Sequence, residues 1–209
     1  MSEFFVRLGK TFIGGKWRDV SSSSAPIALP PPSIGDVADD GYICFAQSGD
    51  QMLLTAPASQ RQDFEWGSHG TERGTTSTTD GYSNTNTLQA YGSSAHPAAH
   101  YCWNNSRNPI DSGGGGTGSY LPAENELQLI YNNRSDIDSW DTSGSDRTLG
   151  NIQSGAVSRP NAGGTVSRVW SSTESSSNAA RRLRFINGIW SNDVKSTSYW
   201  VCPLRRVDA

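Results

Sequence analysis

Two histidines have a spacing that could bind a metal ion. His96 and His100 lie four residues apart, so on a helix both side chains would project from one face. No third ligand stands near them in the sequence, and the H-E-x-x-H motif of zinc hydrolases is absent. We therefore expect surface or helix-capping histidines and no metal site.

Four aspartates in the segment SDIDSWDTSGSD, residues 135–146, could supply oxygen ligands to calcium. The segment lacks the glycine at the sixth position and the closing glutamate of an EF-hand loop. A solvated loop with helix-capping aspartates is the preferred interpretation, and a bound calcium ion is the alternative.

No motif for catalysis occurs in the sequence. G-x-S-x-G, the phosphate-binding loop of nucleotide hydrolases and the dinucleotide-binding fingerprint are all absent. Glu124 and Glu126 lie two residues apart on a predicted helix and would point to different sides, which argues against a shared acid–base task. The sequence predicts a protein that is not an enzyme and binds no cofactor.

The stretch between residues 171 and 206 has the composition of a binding surface. Rigid aromatic rings give contact area at low entropy cost, arginines give forked hydrogen bonds, and serines and asparagines adapt to polar ligands. The aromatic and arginine side chains are Trp190, Tyr199, Trp200, Arg181, Arg182 and Arg184. The alternative interpretation places the tryptophans in the core and leaves the arginines as a solvated face.

The dipeptide Asn187-Gly188 predicts a hairpin turn within this stretch. A type I′ turn needs positive φ at both central residues, and Asn-Gly adopts that conformation at low cost. A two-residue turn would place Phe185 opposite Trp190.

Alternation along the first strand of that hairpin predicts its two faces. Leu183 and Phe185 would face the core, and Arg182 and Arg184 would share the opposite side.

Helices and strands are both expected in the rest of the chain. Strands are predicted at 42–46 and 52–56 and at a last segment, SYWVCPLRR, in which Pro203 indicates an edge, a bulge or an unpaired position. Apolar spacing predicts one helix across residues 88–102, with Pro97 placed to start a helical turn, and residues 67–87 are predicted to be loop. A second helix, with Pro122 in its first turn, carries Leu127, Ile130 and Tyr131 on one stripe.

The composition indicates one main domain preceded by an arm. We expect an aromatic docking arm at 1–20, a serine- and proline-rich linker at 21–35, and a binding domain at 36–209. A short hairpin around Gly14-Gly15 is marginally stable alone, so the arm needs a partner surface, from another protein or from its own domain. Its docking residues would be Phe4, Phe5, Phe12, Ile13 and Trp17.

Net charge and hydropathy argue against nucleic acid and a membrane as partners, and the cysteines leave two interpretations open. The net charge is −3 and no lysine-rich block occurs, so nucleic acid is not an expected partner. No stretch reaches the roughly 20 apolar residues of a membrane span, and no cleaved signal is recognisable at the start. Three widely spaced cysteines, Cys44, Cys102 and Cys202, are expected to be buried thiols, with one disulfide as the alternative.

Two segments resemble a known family of binding domains. SYLPAENELQLIYNNR is similar to the signature W-Y-L-P-s-x-x-E-L-x-x-L-y-x-n, and VWSSTE followed by RRLRFINGIWSNDVKSTSYWVCPLR is similar to Y-W-S-S-T-E…a-w-x-v-x-F-x-x-G…V-R-P-V-R. Both resemble the family typified by the C-terminal domain of the Legionella collagen-like adhesin. GYICFAQSGDQMLLTAPA resembles its opening hairpin, so the resemblance covers about residues 37–207.

The resemblance implies an α+β, C-type-lectin-like fold related to formylglycine-generating enzymes, with short twisted antiparallel strands, two helices and long loops. It also implies ligand contacts from the final hairpin region, at Ser175, Ser177, Asn178, Arg181, Arg182, Arg184, Trp190, Asn192, Lys195, Ser198 and Tyr199. Phe185, Gly188 and Pro203 match framework positions. Cys202 stands where the family usually has arginine, and the copper-binding cysteine pair of the enzymatic relatives has no counterpart.

These expectations combine into one function. We expect a bacteriophage virion protein, assembled in the host cytoplasm and displayed on a tail or capsid, whose arm docks on other virion proteins. Its last hairpin would bind a host surface glycan or protein, and a homo-oligomer, with a trimer favoured, is expected. The alternatives are a structural decoration or tail-cap protein without a receptor role, and a bacterial surface adhesin domain.

Overall fold

The computed structural model describes residues 6–7, 10–13, 16–19, 33–38, 41–57, 60–104, 118–134, 168–185 and 187–208. The chain divides into two compact units, Met1–Pro31 and Pro32–Ala209. The aspartate segment 135–146 lies outside the described residues, so the predictions made for it are not tested.

The first unit contains a three-stranded antiparallel sheet. Its strands are β1 (Val6–Arg7), β2 (Lys10–Ile13) and β3 (Lys16–Asp19), in the order β1-β2-β3. Ile13 pairs with Lys16, which is the register expected for a hairpin turning at residues 14 and 15. Three of the predicted docking residues, Phe12, Ile13 and Trp17, lie on these strands, and Phe4 and Phe5 lie outside the described residues.

The second unit combines helices with two sheets whose strands pair mostly in antiparallel fashion. Its strands are β4 (Ile43–Ser48), β5 (Gln51–Thr55), β6 (Gln62–Glu65), β7 (Arg168–Glu174), β8 (Ala179–Arg184), β9 (Ile189–Val194), β10 (Ser198–Val201) and β11 (Leu204–Asp208). Its helices in the described residues are α1 (Gly81–Gln89), α2 (Pro97–Asn104) and α3 (Glu124–Asn132). The predicted α+β class is confirmed. No helix in this described part of the chain is long and apolar enough to cross a membrane.

The strands form a five-stranded sheet in the order β6-β10-β7-β8-β9 and a three-stranded sheet in the order β11-β5-β4. The segment SYWVCPLRR, predicted to be one last strand, forms two strands, β10 and β11. β10 pairs with β6 and β7, and β11 pairs with β5 in the other sheet. The change of sheet occurs at Cys202-Pro203, because proline has no N–H with which to continue a ladder.

Apolar side chains cover both sides of the five-stranded sheet. On one side, Val169, Leu183 and Phe185 pack with residues of α3 and of the three-stranded sheet. On the other side, Trp170 and Val201 pack with residues of α1 and α2. The sheet is therefore the central layer of the unit.

The helix predicted across residues 88–102 is interrupted. α1 ends at Gln89 and α2 begins at Pro97, and Gly92 between them has φ of 88°. The segment 81–87, predicted as loop, forms most of α1, whose first turn is capped by the Asp80 carboxylate accepting from the Ser83 backbone N–H. The apolar spacing reflected two helices that pack together rather than one.

The hairpin at Asn187-Gly188 has a longer connection than predicted. β8 ends at Arg184, which pairs directly with Ile189, so four residues rather than two separate the paired positions. Leu183, rather than Phe185, lies opposite Trp190. The turn is longer because Phe185 is buried against Tyr131 of α3, with ring centroids 5.8 Å apart.

Gly188 fits this turn for two reasons. Its φ is 68°, and a Cβ at this position would lie 2.8 Å from the Tyr131 ring. Only glycine satisfies both the left-handed backbone and the close approach of the ring.

The predicted helix that carries Leu127, Ile130 and Tyr131 is confirmed by α3, but it begins at Glu124, so Pro122 precedes the N-cap residue Ala123 and does not lie in the first turn. Leu127 and Ile130 are buried and Tyr131 packs against the same core. Glu124 and Glu126 stand in the first turn, where a carboxylate is favoured by the helix dipole. They point to different sides, as their spacing predicted.

The carboxylate of Glu126 joins four parts of the second unit. Its Oε2 accepts from the backbone N–H of Ala123 at 2.8 Å and of Gly81 at 3.1 Å. Its Oε1 accepts from the Tyr120 hydroxyl at 2.8 Å and from Arg206 Nη2 at 2.7 Å. The starts of α1 and α3, the segment before α3 and β11 are thereby held together.

Replacing Glu126 with alanine should destabilise the second unit by about 3–5 kcal/mol, because Arg206 and two backbone N–H groups lose a buried charged acceptor. Urea denaturation followed by tryptophan fluorescence measures this change. Asn132→Ala, on an exposed position of the same helix, is the matched control and should change stability by less than about 0.5 kcal/mol. Equal stability of the two variants would contradict the role assigned to Glu126.

Candidate functional site

Strands β7 and β8 place three arginines on one side of the five-stranded sheet. Arg168 pairs with Arg184 across β7 and β8. Arg182 lies two residues from Arg184 on β8 and therefore projects to the same side. Asp193 and Tyr199 contact Arg182 and Arg168, respectively. We call these five residues the arginine face.

Asp193 is the acceptor at the centre of the arginine face. Its Oδ2 accepts from Arg182 Nε at 3.2 Å and from the Tyr199 hydroxyl. Arg168 Nη1 donates to the Tyr199 hydroxyl oxygen at 2.8 Å. Burial raises the pKa of the Asp193 carboxyl, but hydrogen bonds from Tyr199, the Val194 N–H and Arg182 outweigh burial and hold the pKa below its ordinary value of 3.8. Asp193 is therefore charged at neutral pH.

Two guanidinium groups of the face lack partners at Nε. Arg184 makes no hydrogen bond or ion pair with the described residues, and its Nε is buried. The buried Nε of Arg168, directly across the ladder, is also unpaired. Like charges opposite each other on neighbouring strands are unfavourable, and a buried donor without an acceptor costs about 1–3 kcal/mol.

The charges of the arginine face do not balance. Three guanidinium groups stand against the single carboxylate of Asp193, so the described residues of the face carry two excess positive charges. The Arg168 side chain is 30% exposed, which leaves solvent access to the face. An anionic group bound between Arg168 and Arg184 would accept from both arginines and reduce their repulsion.

The other side of the same hairpin packs on α3. Arg181 holds Glu124 with two hydrogen bonds, Nη2 to Oε1 at 2.6 Å and Nε to Oε2 at 3.1 Å. Arg181 Nη1 also donates to Asn192 Oδ1 at 3.1 Å, and Trp190 Nε1 donates to Gln128 Oε1 at 2.7 Å. These contacts attach the hairpin to α3, so Arg181, Trp190 and Asn192 already have structural partners.

Lys195 is buried and cannot reach a surface ligand. Its side chain has no exposed area, and Nζ pairs with Glu174 Oε1 at 2.5 Å. Nζ also donates to the carbonyls of Thr71 and Ser177 at 3.2 and 3.0 Å. The expectation that Lys195 contacts ligand is therefore corrected, because its ammonium joins two loops beneath the surface.

Two further residues expected on the outward surface are buried. Tyr199 is 4% exposed and packs on Trp170 with ring centroids 4.8 Å apart. Arg182 is 8% exposed because it lies along β8 over Asp193. The tryptophans follow the alternative interpretation: Trp170 is fully buried, and Trp190 and Trp200 pack against the core.

The remaining residues implied by the resemblance are accessible to different degrees. The exposed ones are Ser175, Asn178, Asn192 and Ser198. The partly buried ones are Ser177, Arg181, Arg184 and Trp190. They lie on the two sides of the sheet and on the loop after β7, so the structure does not bring all eleven residues onto one surface.

Sequence reasoning missed Arg168 and Asp193. Arg168 follows a long polar segment and carries no local pattern that marks it as a partner of Arg184. Asp193 could have been found from alternation, because residues opposite each other on an antiparallel pair share a side. Ala180 pairs with Asp193, which places Asp193 on the side of Arg182.

A buried histidine, His96, lies beside Arg73. His96 has no exposed area, its Nε2 accepts from Arg73 Nε at 3.2 Å, and its Nδ1 has no partner. Burial, reinforced by the positive charge of Arg73, lowers the pKa of His96 from 6.5 to about 4. His96 is therefore neutral at pH 7, and it does not converge with His100, whose ring contacts Asn104.

Metal-ligating and thiol groups of the described residues are dispersed. No group of three or more histidine, cysteine, aspartate or glutamate side chains is arranged there to hold a metal ion. Cys44, Cys102 and Cys202 are buried free thiols, as their spacing predicted. Burial raises the pKa of Cys44 and of Cys102, which keeps both thiols protonated at neutral pH.

No known protein family and no curated protein matches the sequence.

The pKa of His96 predicts a loss of stability in mild acid. Because the folded-state pKa is lower than the unfolded-state value, the unfolded chain binds more protons between about pH 6.5 and pH 4. Stability should fall by up to about 3 kcal/mol across that interval. Urea denaturation at a series of pH values measures the decrease.

Matched variants isolate the contribution of His96. His96→Gln should remove most of the decrease between pH 6.5 and 4, and His100→Gln should leave it intact. A decrease that persists unchanged in the His96 variant would show that other groups cause it.

Proposed function

We propose that the protein binds an acidic surface ligand through the arginine face. The observation that carries the proposal is the directly opposed pair Arg168 and Arg184, whose buried Nε donors both lack a partner, on a sheet that is packed on both sides. Guanidinium forks match carboxylate and sulfate geometry, and an unpaired Nε donor gains a hydrogen bond when such a group arrives. The acidic group belongs to a host surface glycan or protein in this proposal.

The finer fold and setting belong to the same proposal. We propose that the second unit has a C-type-lectin-like fold of the Legionella adhesin type and sits on the tail or capsid surface of a bacteriophage virion. The order of the resembling segments along residues 37–207 supports the fold. The separate sheet of the first unit supports a docking arm that joins the protein, as a homo-oligomer with a trimer favoured, to other virion proteins.

The role proposed is binding rather than catalysis. Arg168, Arg182 and Tyr199 of the arginine face are held in hydrogen bonds, and Asp193 has its pKa lowered rather than raised toward neutrality. A general base would need a pKa near the working pH. The arrangement of charges suits electrostatic recognition of an anion.

Removing either arginine of this pair should weaken binding to carboxylated polymers. Arg184→Ala and Arg168→Ala should each reduce retention of the purified chain on immobilised polygalacturonate by about tenfold, because each removes a charge-assisted hydrogen bond. Retention should also decline with added salt. Elution from the polygalacturonate column, compared with a neutral dextran column, measures the effect.

Arg181→Ala is the matched control for the opposite side of the hairpin. It removes the same positive charge but should leave retention within about twofold, because Arg181 is engaged by Glu124. Equal losses from Arg181→Ala and Arg184→Ala would reduce the proposal to a general charge effect. No retention of the unchanged protein would contradict it.

A structural role on the particle is the second candidate, favoured by the separate three-stranded sheet in the first unit. A sheet of such short strands is marginally stable alone, so its burial against a particle would stabilise it. Deleting residues 1–20 should then prevent incorporation of the protein into virions, as measured by its content in purified particles.

The two candidates differ in the phenotype of the remaining particles. If the role is only structural, particles without the protein should be fragile yet adsorb normally to cells. If the role is receptor binding, stable particles carrying Arg184→Ala should adsorb poorly. Incorporation of the deletion variant at the normal level would contradict docking through the arm.

A further inference from the structure

A polar cleft lies between α3 and the β4–β5 hairpin, away from the arginine face. Its volume is about 240 Å³, and its lining includes Leu53 and Leu129. Leu129 is 36% exposed on α3, and Leu53 is buried. The cleft therefore has an apolar patch next to solvent, within a concave polar surface.

Four polar side chains at this cleft have no hydrogen-bond partner among the described residues: Ser48, Gln51, Thr79 and Asn125. Two are primary amides and two are hydroxyls, so each can both donate and accept. Groups of that kind match the hydroxyls of a ligand, which also donate and accept.

Arg206 forms a fixed wall of the cleft. Its Nε donates to the Tyr120 hydroxyl oxygen at 3.0 Å, and Nη2 donates to Glu126 Oε1 at 2.7 Å. The backbone carbonyl of Thr79 accepts from Nη2 at 3.4 Å. These contacts orient the guanidinium group, and Nη1 makes no hydrogen bond with the described residues. Arg206 can therefore donate to a ligand without rearrangement.

The charges around the cleft disfavour an anion. Arg206 Nη2 lies 2.7 Å from Glu126 and 3.6 Å from Asp80, so two carboxylates flank one guanidinium group. A negatively charged ligand would meet this excess of negative charge. The cleft thus differs from the arginine face, whose excess charge is positive.

We propose that this cleft binds one neutral, hydroxyl-rich ring of the size of a hexose. Its volume is below the range of about 300–1,000 Å³ typical of pockets for drug-sized molecules, which suits a single ring. The ring hydroxyls pair with Gln51, Asn125 and Arg206, and an apolar C–H face of the ring packs on Leu129. This site is independent of the arginine face and of the function proposed for it.

The experiment is a titration of the isotopically labelled full chain, followed through the side-chain amide signals of Gln51 and Asn125. The probes are the methyl glycosides of glucose, galactose and mannose, with methyl glucuronide as the charged counterpart. At least one neutral glycoside should shift both amide signals saturably, with a dissociation constant on the order of millimolar. Methyl glucuronide should bind the cleft at least about tenfold more weakly, because the cleft carboxylates repel it.

Variants on α3 test the placement of the ring. Asn125→Ala and Leu129→Ala, both at exposed positions, should weaken the binding of the neutral glycoside by about fivefold or more. Asn132→Ala, on the same helix but outside the cleft, should leave it unchanged. The proposal is overturned if no neutral glycoside shifts the two amide signals, if the glucuronide binds the cleft equally well, or if Asn125→Ala and Asn132→Ala behave alike.

Discussion

The second unit depends on buried carboxylates that hold segments distant in sequence, and Glu126 is the principal one. Its two oxygens receive donors from α1, from the start of α3, from Tyr120 and from β11. The fit is close, because a Cβ on Gly81 would lie 2.5 Å from Glu126 Oε2. With the charge matched by Arg206, the starts of α1 and α3 are fixed against β11 of the three-stranded sheet.

Glu174 is a second buried carboxylate that joins segments distant in sequence. Its carboxylate accepts from the backbone N–H groups of Arg73 and Gly74 and from Lys195 Nζ. A buried ion pair adds little net stability compared with an apolar pair, but it is costly to break and it selects one arrangement of the loops around it. The loop before α1, the loop after β7 and the turn after β9 are therefore mutually ordered.

The arginine face differs from these sites because one of its arginines has no carboxylate partner among the described residues. Arg181 and Arg206 are both matched by carboxylates, whereas Arg184 has no partner among the described residues. Arg168 and Arg184 therefore form a positive pair on a sheet that is packed on both sides. Unmatched charge on a supported surface is a feature of sites that recognise ions or charged ligands.

Alternation within strands could be predicted from the sequence, and pairing between distant strands could not. The predicted turn at Asn187-Gly188 shifted the hairpin register by two residues relative to the observed pairing of Leu183 with Trp190. Because side chains alternate with a period of two, that error left Leu183 and Phe185 on the core side and Arg182 and Arg184 on the other.

Features that depend on contacts between distant parts of the chain could not be predicted from local sequence patterns. The burial of Lys195 depends on Glu174 and on loop carbonyls far away in the chain. The position of Arg168 opposite Arg184 depends on the register of β7 and β8, which no local sequence signal specifies. The α+β class, α3 and the opening hairpin β4–β5 could be predicted because each follows from its own periodicity and turn residues.

The most direct test of the arginine face is to observe its Nε–H groups during ligand addition. Titration of ¹⁵N-arginine-labelled protein with methyl glucuronide should shift the Nε–H signals of Arg168 and Arg184 together and to saturation, while that of Arg181 stays in place. Shifts confined to Arg181, or no shift of Arg168 and Arg184 at saturating methyl glucuronide, would contradict the account.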